Sequence, residues 1–280
     1  MAEWLLELFS EEIPARMQAG AARDLERLVK HELDVRGGIP SRDPVSFCGP
    51  RRLTLVVDGL SPIQYGRVDF RKGPKTSAPQ AAIDGFASRA GVNADQLLVE
   101  NGQFVARIEI PDRRTADVIA QIVPHLIRHF PWPKSMTWGS GSLKWVRPLH
   151  RILCVFDGEI VPFEVEGIAS GDETEGHRVM SQGRAISARY FEDYRETLKA
   201  NFVRLATLDR ENKIAADARA LAEARGLTVV EDTGLLAEVA GMVEWPVALL
   251  GDMDERFLSL PPEVIRTTMR THQRYFAVRA

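Results

Sequence analysis

The chain has 280 residues, 45% hydrophobic and 27% charged, with a formal net charge of −3 and a pI of about 6.1. That composition is long and apolar enough for one large globular domain or two smaller ones, and it excludes a disordered chain or a globally basic nucleic-acid binder. Two cysteines, Cys48 and Cys154, with no CxxC spacing exclude a disulfide framework and point to a reducing, cytoplasmic setting.

The opening stretch EWLLELFSEEIP reads as a strand ending in an acidic turn before Pro14. It carries four acids by Glu12 and no basic leader, so it is not a secretory signal. No apolar run approaches a membrane span. Residues Arg16 to Val35 repeat apolar side chains near 3.6 residues, a helix closed by RGG. RRLTLVVDGL, from Arg51, reads as a buried strand, and TSAPQAAIDGFASRAG as a short helix ending at Gly91. Asn101-Gly102 and Asp157-Gly158 each separate two apolar runs, the signature of a tight β-hairpin. Between them TADVIAQIVPHLIRHF predicts an amphipathic helix that Pro124 kinks or divides. Beyond Gly171 helices are expected in ISARYFEDYRETLKANF, DRENKIAADARALAEARG and GLLAEVAGMVE, with strands in VRLATL, LTVVED and WPVALLGDM. Hairpins early and mixed helices and strands later predict an α+β fold, in two lobes of residues 1–170 and 171–280.

Few motifs carry chemistry. His125 and His129 have the helical spacing of a metal pair, but no glutamate follows in the HExxH manner, and no metal is assigned. GSGSLK, from Gly139, lacks phosphate-loop spacing and reads as a turn. DETEGHR, from Asp172, gathers three acids, His177 and Arg178. A carboxylate beside a histidine can tune its pKa, yet sequence neighbours rarely converge on one substrate atom, so an exposed polar loop is the better reading. No GxSxG elbow or catalytic-cysteine context is present, and no catalytic residue is named.

The last segment, PPEVIRTTMRTHQRYFAVRA, predicts a helix starting at Pro261-Pro262. Ile265, Met269 and Phe276 form an expected core stripe with His272, and Arg266, Arg270 and Arg274 form a second row. From Arg256 to the last residue there are five arginines against the single Glu263. Arginine forks match phosphate oxygens and aromatic rings stack on bases, but residue types favour a packed helix with a solvated basic face.

Several of these segments occur in a familiar order. WLLELFSEEIPA, GPRRLTLVV at Gly49, KGP at Lys72 and IDGFASRAG at Ile83 come first. PKSMTWG at Pro133, RPLHRILCVFDGEIVPFEVEGIASGDETEGHR from Arg147, EVAGMVEWPVALLGDMDERFLSLPPEVI from Glu238 and MRTHQRYFAV from Met269 follow. Together they resemble the beta subunit of bacterial-type heterotetrameric glycyl-tRNA synthetase over essentially the whole chain. One departure is Thr137, where family members usually have arginine.

The resemblance implies an N-terminal portion of that subunit, without the family's HD-like and anticodon-binding domains, and similar to a domain of the phenylalanyl-tRNA synthetase beta chain. It implies as partners the alpha subunit, a second beta chain and tRNA(Gly), with no membrane. ATP and magnesium are expected on the alpha subunit, and no cofactor on this chain. FRKG at Phe70 lacks the glutamate of a class II FRxE motif and GSGSLK the arginine of GxGxxR, in keeping with that division of labour. The candidate nucleic-acid contacts are Arg51, Arg52, Lys134, Lys144, Arg147, His150, His177, Arg178, Arg266, Arg270, His272, Gln273 and Arg274. For each arginine, a buried pairing with a carboxylate is the competing explanation.

Overall fold

The computed structural model describes residues 2–40 and 43–279. In chain order it begins with β1 (Ala2–Ser10), α1 (Ala15–Glu32), β2 (Val45–Cys48) and β3 (Arg52–Leu60). Next come β4 (Ile63–Gln64), β5 (Arg67–Lys75), α2 (Gln80–Ala90), β6 (Leu98–Glu100), β7 (Gln103–Ile110) and β8 (Arg113–Arg114). After α3 (Thr115–Arg128) follow β9 (Leu149–Phe156), β10 (Glu159–Ile160), β11 (Glu164–Val165), β12 (Ile168–Gly171), β13 (Glu173–Glu175) and β14 (Ala185–Ser187). The last part holds α4 (Phe191–Ala200), α5 (Thr207–Glu223), β15 (Thr228–Val229), α6 (Thr233–Ala240), α7 (Pro262–Thr268) and β16 (Val278–Arg279). The fold is α+β.

The chain forms two compact units, Met1–Leu60 with Ile119–Ala280, and Ser61–Val118. In the smaller unit three antiparallel strands lie in the order β5-β7-β6, and Asn101 (φ 51°) and Gly102 (φ 74°) make the expected tight turn. α2 ends at Gly91 (φ 72°), as its sequence predicts. A Cβ at Gly73 would lie 2.4 Å from the Phe86 ring, so only glycine lets α2 sit this close to β5.

In the larger unit the described residues build a seven-stranded sheet in the order β11-β12-β9-β1-β3-β2, with β10 paired to β9. β12 runs parallel to β9 and the other pairs are antiparallel. β1 is central, which is why its sequence is an almost continuous apolar run. Leu5 joins Leu153 and Val155 beneath Tyr194 and Leu198 of α4, with Val203 and Leu205 completing that core. Each fully buried leucine or valine there contributes roughly 1.5–3 kcal/mol of transfer free energy. Because α4 and Val203 share a core with β1 and β9, the 170/171 boundary drawn from element pattern falls inside this unit. α1 packs on β2 and β3, with Met17, Ala21, Leu25 and Val29 buried.

Two expected strands and the expected division of one helix are corrected. VRLATL forms no strand: Val203 and Leu205 are buried, and the Arg204 amide donates to the Glu244 carbonyl (2.9 Å). Residues 245–253 also form no strand among the described residues, and Leu249 is 88% exposed. An alternating apolar run becomes a strand only where a neighbouring strand is there to pair with it. Pro124 does not divide α3, which is helical from Thr115 to Arg128 with Ile119, Ile122, Val123, Leu126 and Ile127 buried on one face. No helix of the described residues is long and apolar enough to cross a membrane.

Candidate nucleic-acid interface

At the end of β1 backbone bonds bring remote segments together. The Ser10 amide donates to the Arg51 carbonyl (2.8 Å) and the Glu11 amide to the Pro148 carbonyl (2.9 Å). Glu11 is thereby placed between His150 and Arg178: His150 Nε2 lies 3.0 Å from Oε1, and Arg178 Nη2 donates to Oε2 (2.6 Å). The Arg178 bond holds the Glu11 carboxyl below its usual pKa, and Glu11 raises that of Arg178.

Beneath this surface the paired arginines are structural. Arg52 is 1% exposed and pairs with Glu7 (3.1 Å) and Glu244 (2.9 Å). Glu7 also accepts from Thr174 Oγ1 and from the Tyr194 hydroxyl. Burial alone would lower the Arg52 pKa, but the Glu244 and Glu7 carboxylates more than reverse this and it lies above the usual range. Arg52 is therefore corrected from nucleic-acid contact to ion-pair partner, since a carboxylate buried at Glu7 requires a cation on the same face. Arg51 is 7% exposed, its guanidinium 4.4 Å above the Phe9 ring and 3.6 Å from Glu175. Burial pulls its pKa down.

The DETEGHR residues disperse instead of converging. Asp172 pairs with Arg189 (2.8 Å), and Glu173 and Glu175 with Arg151 (3.1 and 3.2 Å). His177 Nδ1 accepts from the Val179 and Met180 amides (3.2 and 3.1 Å), which makes the ring a cap on its own turn. Both thiols are buried, which pushes Cys48 and Cys154 up to about 12 and removes them as nucleophiles at neutral pH. The His125 and His129 rings lie against each other, tilted, with centroids 4.2 Å apart.

The C-terminal arginine row faces carboxylates of α6. Arg270 Nε lies 2.5 Å from Asp232 Oδ2, and Arg274 Nε 2.8 Å from Glu238 Oε1. Asp232 is the N-cap of α6, accepting from the Leu235 amide (2.9 Å). Its bond to Arg270 lowers its pKa. Arg266, His272 and Gln273 are exposed, and Arg266 makes no ion pair among the described residues. The helix starts at Pro262 as predicted but gives way to a wider turn at Met269–Gln273, with Arg274 left-handed (φ 58°). That change of pitch breaks the stripe: Ile265, Met269 and Phe276 are only half-buried, not core. The closing strand is present as β16, paired with β15, while Ala280 lies outside the described residues.

The remaining candidates, Lys134, Lys144 and Arg147, lie on one loop. Its base is an aromatic cluster of Phe130, Trp132 and Trp145, with ring centroids 4.8 to 5.2 Å apart. Met136 and Trp145 exchange two backbone hydrogen bonds (2.8 and 3.1 Å), and the Gly141 amide donates to the Trp138 carbonyl (3.3 Å) across a turn with Gly139 at φ 58°. Lys134 and Lys144 are exposed, and Arg147 is half-buried, donating to the Val146 carbonyl (2.9 Å). None of the three forms an ion pair with a described residue. The sequence holds a signal that motif reading passed over: from Val118 to Phe156 there is no Asp or Glu, against five Lys or Arg. Glu11 and Arg151 were not among the candidates, because only the folded chain brings Glu11 to Arg178 and His150 and Arg151 to Glu173 and Glu175.

A protein-family model described as glycyl-tRNA synthetase beta subunit matches residues 4–280. The chain belongs to this glycyl-tRNA synthetase beta subunit family. It is 56% identical over 279 residues to the glycine--tRNA ligase beta subunit of Phenylobacterium zucineum, covering 100% of this chain and 42% of that relative. The corresponding subunit of Ruegeria sp. is 49% identical, with 100% and 42% covered, and that of Paracoccus denitrificans 47%, with the same coverage. The chain thus spans about two-fifths of the length of these glycyl-tRNA synthetase beta subunits. Within this chain the segments FSEEIP, GPRR, RPLHR and ETEGHR meet at the end of β1.

Proposed function

We propose that this chain is a non-catalytic portion of glycine–tRNA ligase that supports holoenzyme assembly and recognition of tRNA(Gly) in the cytoplasm. ATP- and magnesium-dependent formation of glycyl-adenylate belongs, on this reading, to the alpha subunit, in a tetramer of two alpha and two beta chains. The observation that carries it is the family match along residues 4–280. The unpaired cations of residues 134–147 support direct contact with the RNA backbone. A second reading, a structural module touching only the alpha subunit and further beta-subunit domains, is favoured by the carboxylate pairing of Arg270 and Arg274.

Reconstitution tests the first reading. Alpha subunit with a full-length beta subunit should glycylate tRNA(Gly), whereas alpha subunit with these 280 residues alone should not. Charging by the second mixture would refute the assigned division of labour. Salt dependence separates the two readings: phosphate contact predicts a log–log slope that scales with the cations neutralised, and no tRNA affinity at low salt leaves only the structural module.

A further inference from the structure

We propose that the loop of residues 131–147 binds an unpaired stretch of RNA, with Trp138 stacking on a nucleobase and Lys134 and Lys144 holding the flanking phosphates. The tRNA-recognition reading supplies only the identity of the natural RNA. The site itself rests on the loop.

Three features converge. The first is charge. Both lysines are exposed, neither has an ion-pair partner among the described residues, and the surrounding sequence from Val118 to Phe156 contains no acid. An uncompensated lysine releases a counterion when it meets a phosphate, whereas one already paired must first give up its carboxylate.

The second is the division of the aromatic rings. Trp132 and Trp145 are buried with Phe130 and form the base of the loop, while Trp138 is half-exposed at the turn. Met136 of the same loop is 41% exposed and adds a second apolar side chain to its surface. The third is space: apart from its chain neighbours, a Cβ at Gly139 would meet nothing within 4 Å, so the turn is open at Gly139.

A half-exposed indole on a loop that also carries two lysines unpaired among the described residues selects for single strands. Bases in a duplex are already stacked and offer it no face, whereas an unpaired base gains the whole ring contact. One carboxylate approaches the turn: Glu166 Oε2 would lie 3.8 Å from a side-chain carbon at Gly141. Its charge opposes phosphate binding and gives the site a substitution of opposite sign.

The test is fluorescence anisotropy of a labelled short single-stranded RNA titrated with the 280-residue chain, with the same RNA as a duplex for comparison. Trp138→Ala should weaken single-strand binding about tenfold, the loss expected of one stacked base, and Trp138→Phe should restore most of it. Duplex binding should be unchanged by either. Lys134→Ala and Lys144→Ala should each lower the log–log salt slope by about 0.7, and Glu166→Gln should tighten binding. The proposal is overturned if Trp138→Ala, with an unchanged thermal melt, binds as the unaltered chain does. It is equally overturned if polyglutamate competes as well as RNA, which would make the loop an acidic-protein site. Trp138-dependent RNA binding without glycylation by the reconstituted subunits would keep the loop and remove the tRNA ligase reading. Glycylation without any effect of Trp138 on RNA binding would do the reverse.

Discussion

The C-terminal arginine row and the loop of residues 131–147 are both basic, both carry aromatics, and differ in what faces their cations. Arg270 and Arg274 meet Asp232 and Glu238 across α6, while Lys134 and Lys144 meet no carboxylate among the described residues. The row has the denser run of arginines in sequence, yet two of its three are paired and only Arg266 is left without an ion pair among the described residues, whereas both loop lysines are. Local charge density counts cations, and only the fold says which are already neutralised.

The extreme of the paired condition is Arg52, and its removal should have the largest effect. Arg52→Met leaves Glu7 and Glu244 buried without their cation, and unfolding in urea should show a loss of about 3–5 kcal/mol. Replacing Lys134 and Lys144 with glutamine should leave stability within about 0.5 kcal/mol, because neither side chain pairs with a carboxylate among the described residues. A large loss there would erase the distinction.

The comparison can also be inverted. Asp232→Asn keeps an N-cap for α6 while freeing Arg270, and with Glu238→Gln it should convert the arginine row into a polyanion site with a steeper salt slope. Asp232→Ala should cost about 1 kcal/mol more than Asp232→Asn, read from the shift in urea midpoint, because the cap is lost as well. RNA affinity unchanged in the Asp232→Asn, Glu238→Gln variant would show that pairing is not what silences the row.

The smallest expected effect is in pH. Glu11 and Asp232 both have lowered folded-state pKa values, caused first by Arg178 and Arg270. Their contributions are present above the unfolded carboxylate range of about 4 and are lost as pH falls through the lower folded values. Melting temperature measured from neutral to acidic pH should decline less steeply below pH of about 4 in Glu11→Gln and Asp232→Asn than in the unaltered chain.

What the sequence determined by itself is what depends on near neighbours. Asn101-Gly102 and Asp157-Gly158 make their turns because φ is positive at all four residues, a property of the residue types. The helices ending at Gly38 and Gly91 stop there for the same reason. Family membership was legible because it rests on the order of many short segments.

Tertiary structure decided everything that needs a distant partner. VRLATL and WPVALLGDM look like strands but find no strand to pair with among the described residues, and ladder bonds are non-local by nature. The site was legible as a set of residue types but not as a set of available charges. Arg52 and Glu244 are 192 residues apart in sequence, and the neutralisation of one by the other is visible only when the chain closes on itself. A helix pitch or a turn is a local choice of dihedrals, but whether a cation is free depends on which carboxylate the fold brings within Coulombic reach.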